Sequence, residues 1–98
     1  MKEVLMYIGL NDKDTKKQII ATDQAKQIVT DIVGDNTMQV VTGHYTHEDG
    51  TPTDETTLKV ELFRDNTDRL QVECEDIKRL LNQESIFCKV SDIQGLFI

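Results

Sequence analysis

The sequence is poor in the residues that mark several special protein classes. Its 98 residues include no tryptophan, one proline and two cysteines, and aromatic residues make up 5% of the total. The 11 lysines and arginines are outnumbered by 18 acidic residues, which gives a formal net charge of −7. A chain with so little positive charge lacks the basic surface that binding to a nucleic-acid backbone requires. Two cysteines without C-x-x-C spacing predict neither a disulfide framework nor a zinc site.

Long hydrophobic runs are missing as well. No apolar run approaches the roughly 20 residues that a membrane-spanning helix needs. The first residues, 1–5, become polar too early to form a signal peptide. We therefore expect an acidic, soluble, cytoplasmic protein, with one domain over residues 1–98. Composition and motifs alone do not indicate an activity.

The apolar residues that are present predict alternating strands and helices. A near-continuous apolar run is typical of a central strand covered on both faces, strict alternation is typical of a half-buried strand, and spacings of three and four indicate a helix. The predicted strands cover 4–10, 38–45, 57–63 and 86–90, and the predicted helices cover 22–33 and 70–81.

Polar residues mark the ends of these elements. Thr22 is the expected N-cap of the first helix, and Gly34 suits the left-handed position after its last turn. Residues 65–67 are expected to cap the second helix. Residues 46–56, which contain the only proline, predict a long polar hairpin tip, and the apolar residues in 93–98 allow a short fifth strand.

The order strand, helix, strand, strand, helix, strand predicts an α+β fold of the ferredoxin-like sandwich type. In this fold two helices pack on one face of a four-stranded antiparallel sheet. Right-handed crossovers place strands 1 and 3 at the centre and give the strand order 4-1-3-2.

This topology brings three polar segments to one end of the sheet: loop 11–18, hairpin tip 44–55 and turn 82–85. We call these three segments the polar rim. Loops are polar whether or not they bind anything, but lysines, amides and the backbone donors at the start of the first helix would also suit an anionic or polar ligand. The candidate ligand-binding residues are Asn11, Asp12, Lys13, Asp14, Thr15, Lys16, Gln18, His44, Gln83, Glu84 and Ser85.

Metal and catalytic motifs are weak. His44 and His47 are three positions apart, so in a strand their imidazoles point to opposite faces, and we expect neither a metal nor a cofactor. Cys74 and Cys88 fall on inward-facing positions and are interpreted as small core residues with raised pKa values. Tyr7 is the polar aromatic residue that could face a cavity between sheet and helices.

The sheet face away from the helices is expected to be apolar. Tyr7 or Leu5, together with Val41, Tyr45 and Phe87, would form a patch too apolar to remain in contact with water. We therefore expect a homo-oligomer, with a dimer as the first hypothesis, and no contact with nucleic acid or membrane. A protein partner is the alternative occupant of this surface.

Three stretches of the sequence, 7–15, 43–50 and 81–86, resemble those of small uncharacterised proteins from Firmicutes and their phages or mobile elements. They are also similar to a ferredoxin-like family of unknown function that has the same hairpin and a Gln-Glu-Ser before its last strand. The resemblance implies a fold without an established activity, and its matching segments coincide with the polar rim.

Two functions are compatible with these observations. The first is a binding module that holds a small polar ligand or a protein at the polar rim and assembles through its sheet. If a mobile element carries it, its acidity would suit a basic host protein as a target. The second is a small cofactor-free enzyme with a cavity between sheet and helices near Tyr7. A structure that shows whether a pocket reaches Tyr7 distinguishes them.

Overall fold

The computed structural model describes residues 1–46 and 48–98. Within them the chain forms β1 (Lys2–Gly9), α1 (Thr22–Val33), β2 (Thr37–Thr46), β3 (Pro52–Arg64), α2 (Leu70–Leu80) and β4 (Phe87–Asp92). The strands make one antiparallel sheet in the order β2-β3-β1-β4. The predicted α+β fold and strand order 4-1-3-2 are therefore confirmed. In the described part of the chain, neither helix is long and apolar enough to cross a membrane.

Alternation along β1 divides the sheet into a buried face and an open face. Val4, Met6 and Ile8 are fully buried together with the alternating apolar residues of β3 and the inner faces of both helices. Tyr7 points the other way and is 37% exposed. The central position predicted for β1 is correct, but in a single chain only one of its faces is covered. We call the uncovered side the open face.

The beginning of α1 differs from the prediction in its cap. The helix starts at Thr22, but Ala21 occupies the N-cap position and no side chain caps the first turn. The Thr22 hydroxyl instead accepts a hydrogen bond from Gln18 Nε2 at 3.0 Å, which removes it from the capping role. Gly34 has a φ of 79° after the last turn, so the predicted need for glycine there is confirmed.

Two further predictions about chain ends are wrong. No side chain of residues 65–67 caps α2; the Thr67 carbonyl accepts a hydrogen bond from the Leu70 N–H at 3.1 Å instead. Residues 93–98 form no fifth strand, because their backbone contact with the sheet is a single bond from the Ile93 N–H to the Met1 carbonyl.

The β2–β3 hairpin is longer than predicted. The ladder continues to the pair Thr46 and Pro52, whereas β1 pairs with β3 only as far as Thr57. Residues 43–46 and 52–55 thus form a two-stranded extension beyond the central strand, which we call the hairpin arm. The loop predicted over 46–56 was wrong because threonine has high strand propensity and because proline is tolerated as the first residue of a strand.

Candidate functional site

The three segments of the polar rim meet around a cavity of about 430 Å³ at the end of the open face. β1 supplies its floor, the hairpin arm one wall, and loop 11–16 with turn 83–85 the other. The lining residues are Tyr7, Gly9, Asn11, Asp12, Lys13, Lys16, Gly43, His44, Tyr45, Glu55, Thr57, Gln83, Glu84, Ser85 and Phe87.

Most predicted ligand-binding residues line this cavity, but three do not. Asp14 accepts a hydrogen bond from Asn82 at 2.9 Å, and Thr15 closes the turn of its own loop by bonding to Asp12. Gln18 is directed toward the start of α1, where its amide bonds to Ile20 and Thr22. No residue of α1 is among those that line the cavity in the described chain, so the predicted help from its backbone donors is absent.

Glu55 is an acidic residue of the hairpin arm whose side chain extends over the floor of the cavity. Its Oε2 accepts a hydrogen bond from the Asn11 backbone N–H at 2.8 Å. Its carboxylate lies directly over Gly9, where a Cβ atom would come within 2.1 Å of Oε1. Gly43 is the cross-strand partner of Glu55. A glycine in a strand often marks a close approach of this kind, and here Gly9 makes room for the carboxylate, whereas a Cβ at Gly43 would meet Thr57 Oγ1 at 3.0 Å.

Tyr45 extends from the neighbouring strand of the hairpin arm toward the same carboxylate. Both side chains lie on the open face and line the same cavity, from diagonal positions on paired strands. Partial burial raises the pKa of the Tyr45 phenol, and the negative charges of Glu55 and Glu84 raise it further. The phenol therefore stays protonated at neutral pH and remains a hydrogen-bond donor.

An aromatic surface borders the acidic floor. The rings of Tyr7 and Phe87, which are cross-strand partners on β1 and β4, have centroids 6.1 Å apart and planes inclined by 53°. Phe87 is 63% exposed, so much of its ring can contact a bound molecule. Lys59 is the cross-strand partner of Tyr7 on β3, and its Nζ lies 5.9 Å from the centroid of the Tyr7 ring. The cavity thus combines carboxylates with aromatic ring surface.

The enzyme hypothesis assumed that Tyr7 faces a cavity between sheet and helices, but Tyr7 points away from that layer. The side chains that enter that layer from β1 are Val4, Met6 and Ile8, and they are fully buried. Side chains alternate along a strand, so Tyr7 belongs to the open face. The cavity that Tyr7 lines is therefore on the opposite side of the sheet from the predicted one.

Two predicted ligand-binding residues also hold the wall of the cavity in place. Asp12 Oδ1 accepts the N–H groups of Asp14 and Thr15 at 2.9 Å, while Asn82 donates to Oδ2 at 2.7 Å. The hydrogen bond from Asn82 is the main reason why the pKa of Asp12 is lowered. Gln83, only 8% exposed, donates to the Asn11 carbonyl at 2.8 Å. These bonds fasten loop 11–16 to turn 82–85.

The histidine pair gives no support for a metal site. His44 Nδ1 lies 2.6 Å from Asp54 Oδ1 in an exposed pair on the hairpin arm. His47 is outside the described residues. Among the residues that are described, no three histidine, cysteine, aspartate or glutamate side chains are grouped to hold a metal ion.

Sequence reasoning missed Glu55 and Tyr45 as site residues. The sequence assigns Tyr45 to the apolar surface of the expected oligomer and includes both residues in hairpin tip 44–55, but it names neither as a ligand-binding residue. Continuing the alternation of β3 backward from Lys59 through Thr57 would have placed Glu55 on the open face. Gly9, at the end of an otherwise apolar strand, was the other available signal.

The fold and the cavity define a small α+β domain with an acidic and aromatic site at the end of its open sheet face. Neither protein-family models nor curated proteins give a match to this chain. Solved structures of similar fold include a phage SAM lyase in complex with S-methyl-5'-thioadenosine, with a TM-score of 0.70 and 18% identity, covering 93% of this chain and 80% of that chain. A phage SAM lyase in its apo state matches with a TM-score of 0.64 and 16% identity, covering 92% of this chain and 78% of that chain.

Proposed function

We propose that this protein binds S-adenosylmethionine (SAM) and cleaves it to release S-methyl-5'-thioadenosine. The observation that carries the proposal is the Glu55–Tyr45 pair, which faces the rings of Tyr7 and Phe87 across one cavity. The similar fold of a phage SAM lyase that holds S-methyl-5'-thioadenosine supports it. The cavity volume of about 430 Å³ lies in the range usual for small-molecule sites.

The chemistry of SAM matches the groups that line the cavity. SAM has a sulfonium, an ammonium and a carboxylate group in addition to its adenosine. Aromatic faces such as those of Tyr7 and Phe87 attract onium cations and stack on adenine. Glu55 can accept hydrogen bonds from the ammonium or the ribose hydroxyls. Lys13 and Lys16 can attract the carboxylate of the methionine part.

The reaction requires the bond between the sulfonium sulfur and Cγ to break. The electron pair goes to sulfur, which leaves as a neutral thioether. Cγ bonds either to an oxygen of the carboxylate of SAM itself, which closes a lactone without proton transfer, or to water, which then gives up one proton to the solvent. Positive charge on sulfur disappears in the transition state, so surroundings less polar than water favour the step. The rings of Tyr7 and Phe87 supply such surroundings, while Glu55 and Tyr45 hold the substrate in one orientation.

The test is incubation of the purified protein with SAM, with S-methyl-5'-thioadenosine measured by liquid chromatography and mass spectrometry. Glu55→Gln is expected to reduce turnover roughly 10- to 100-fold, as loss of a hydrogen bond to a charged group does. Tyr45→Phe should act in the same direction. Glu75→Gln is the matched control, because Glu75 is an exposed glutamate on α2, outside the cavity and away from the open face.

The outcomes separate the two functions considered for this fold. Cleavage that depends on Glu55 supports the enzyme. Binding of S-methyl-5'-thioadenosine without any cleavage of SAM would leave a non-catalytic binding module. Absence of both binding and cleavage would contradict the proposal as a whole.

We also propose that a second copy of the chain covers the open face. Lys59 and Lys89 lie on this face with Glu3 and Glu61, so two copies can place opposite charges against each other. Exposed Phe87 adds apolar area. Light scattering should show a dimer or larger assembly that Phe87→Ser weakens, whereas a strict monomer at high micromolar concentration would contradict it.

We propose an origin in a phage or mobile element and a cytoplasmic location. The resemblance of three sequence stretches to phage and mobile-element proteins supports this origin, as does the phage source of the two similar solved structures. A cytoplasmic location fits a substrate that cells make and use internally. Fractionation of the source cells after expression would test the location.

A further inference from the structure

The two cysteines of the chain contact each other. Cys74 on α2 and Cys88 on β4 are 14 positions apart in sequence, and their Sγ atoms are 3.3 Å apart. Both are free thiols that pack against the core, as predicted, but remain only partly buried. They line a second surface cavity, which a small reagent can enter from solvent.

The two thiols differ in how readily they lose a proton. The S–H of Cys74 hydrogen-bonds to the sulfur of Cys88 and lowers the pKa of Cys88 to about 7. The same contact and burial raise the pKa of Cys74. The hydrogen bond with Cys74 outweighs burial at Cys88, although burial by itself raises the pKa of both thiols as expected. An accessible thiolate next to a second thiol is the arrangement found at redox-sensitive cysteines.

We propose that Cys74 and Cys88 form an oxidation site at which a peroxide converts the two thiols into a disulfide between α2 and β4. Their separation of 3.3 Å means that a small shift of the side chains brings the sulfur atoms to bonding distance. This site is separate from the cavity on the open face, and it does not depend on the function proposed for that cavity.

The chemistry balances with one peroxide molecule per disulfide. The Cys88 thiolate attacks one oxygen of hydrogen peroxide, the O–O bond breaks, and the departing hydroxide takes up a proton to form water. The sulfur of Cys74 then attacks the sulfenic acid formed on Cys88 and displaces its oxygen as a second water. Both cysteines lose a hydrogen, and the peroxide oxygens are reduced.

The disulfide would act on the wall of the first cavity. The chain between Cys74 and Cys88 includes turn 82–85, and Ser85 lines both cavities. Closing this stretch into a covalent loop restricts the conformations available to it. Gln83 and Glu84, which line the first cavity, would therefore be held more rigidly after oxidation.

The experiment treats the purified full chain with a small excess of hydrogen peroxide and follows thiols and mass. The wild type is expected to lose both thiols together and to decrease in mass by two hydrogens, and digestion should yield one linked peptide pair. In Cys74→Ser, dimedone should trap a sulfenic acid at Cys88. In Cys88→Ser, the remaining Cys74 has no partner thiol in the chain, so no disulfide within the chain can form, and the thiol should be lost more slowly than the wild-type pair.

Three results would overturn the proposal. One is a wild-type protein in which peroxide produces only sulfinic acid or disulfides between chains. Another is a Cys88→Ser variant that loses its thiol as fast as the wild type loses its pair. The third is unchanged amide hydrogen exchange in residues 82–85 after the disulfide has formed. Thiol reactivity in Cys74→Ser and Cys88→Ser is compared only after circular dichroism has shown that both variants fold.

Discussion

Replacement of Gly9 by alanine tests the position of Glu55 without altering any polar group. The added Cβ would lie 2.1 Å from Glu55 Oε1 and 2.4 Å from Cδ. Favourable contact between heavy atoms lies at about 3.5 to 4.0 Å, so the carboxylate must withdraw by roughly 1.5 Å. The Asn11 N–H then loses its acceptor, and the Glu55 carboxylate leaves its place in the cavity that it shares with Tyr45.

The effect on stability should be small. Losing a hydrogen bond to a charged group costs about 1.5 to 3 kcal/mol, and partial exposure of Glu55 favours the lower end of that range. Replacing glycine by alanine at an ordinary extended φ returns about 0.4 to 1 kcal/mol through the unfolded state. The net loss in the free energy of unfolding is therefore about 1 kcal/mol, which corresponds to a fall in Tm of about 4 to 8 °C.

The effect on the site should be much larger. A displacement of about 1 Å in a positioning group can reduce turnover roughly a hundredfold, so Gly9→Ala should resemble Glu55→Gln in SAM cleavage and in calorimetric binding of S-methyl-5'-thioadenosine. Gly95→Ala is the control, because its Cβ would meet nothing closer than 3.6 Å and lies outside the cavity. A Gly9→Ala protein that binds and turns over like the wild type would refute the role of Glu55. A loss of more than about 3 kcal/mol in the free energy of unfolding would contradict the small effect expected on stability.

Two further predictions concern the frame that surrounds the site. Arg64→Met leaves the carboxylate of Glu73, which is 4% exposed, without its bidentate partner. This variant should lower the free energy of unfolding by about 2 to 4 kcal/mol in urea titrations. Arg79→Ala, which removes an exposed ion pair, should cost less than about 0.5 kcal/mol, and equal costs for the two variants would contradict the prediction. The folded-state pKa of Asp12 is lowered from 3.8, so its contribution to stability is present above that value and is lost as pH falls through the folded pKa. Asn82→Gly keeps the backbone φ of 48° but removes the hydrogen bond, so stability should depend less steeply on pH below about 4, and an unchanged slope would contradict the assignment.

Periodicity in the sequence was sufficient to predict the topology, because burial imposes it at every core position. The spacing of Ala25 and Val29 predicts α1, and the alternation of Leu58 and Val60 predicts β3. Hairpin length was not predictable in this way, since residues 52–56 are polar and two-stranded, and no core face constrains their pattern. The two helix N-caps were wrong because no side chain caps either helix: the Thr22 hydroxyl accepts a hydrogen bond from Gln18, and the Thr67 carbonyl accepts the N–H of Leu70.

The candidate site was predictable in location but not in its central residues. Topology alone brings the segments of the polar rim together. The importance of Glu55 follows from its contact with Gly9, which lies 46 positions earlier in the sequence. Strand pairing, and no local motif, brings the two residues together. The register that creates this contact is therefore visible only in the folded sheet. The same is true of the Cys74–Cys88 contact, which joins a helix to an edge strand.

The hairpin arm also gives the molecule a place where its length can change. The ladder of β2 and β3 runs to the pair of Thr46 and Pro52, beyond the part of β3 that pairs with β1. Because strand side chains repeat every two residues, paired insertions of two residues per strand near the tip would leave Tyr45 and Glu55 facing the same way. A fluorescent label or an affinity peptide placed there would report on the protein while the lining of the cavity stays intact.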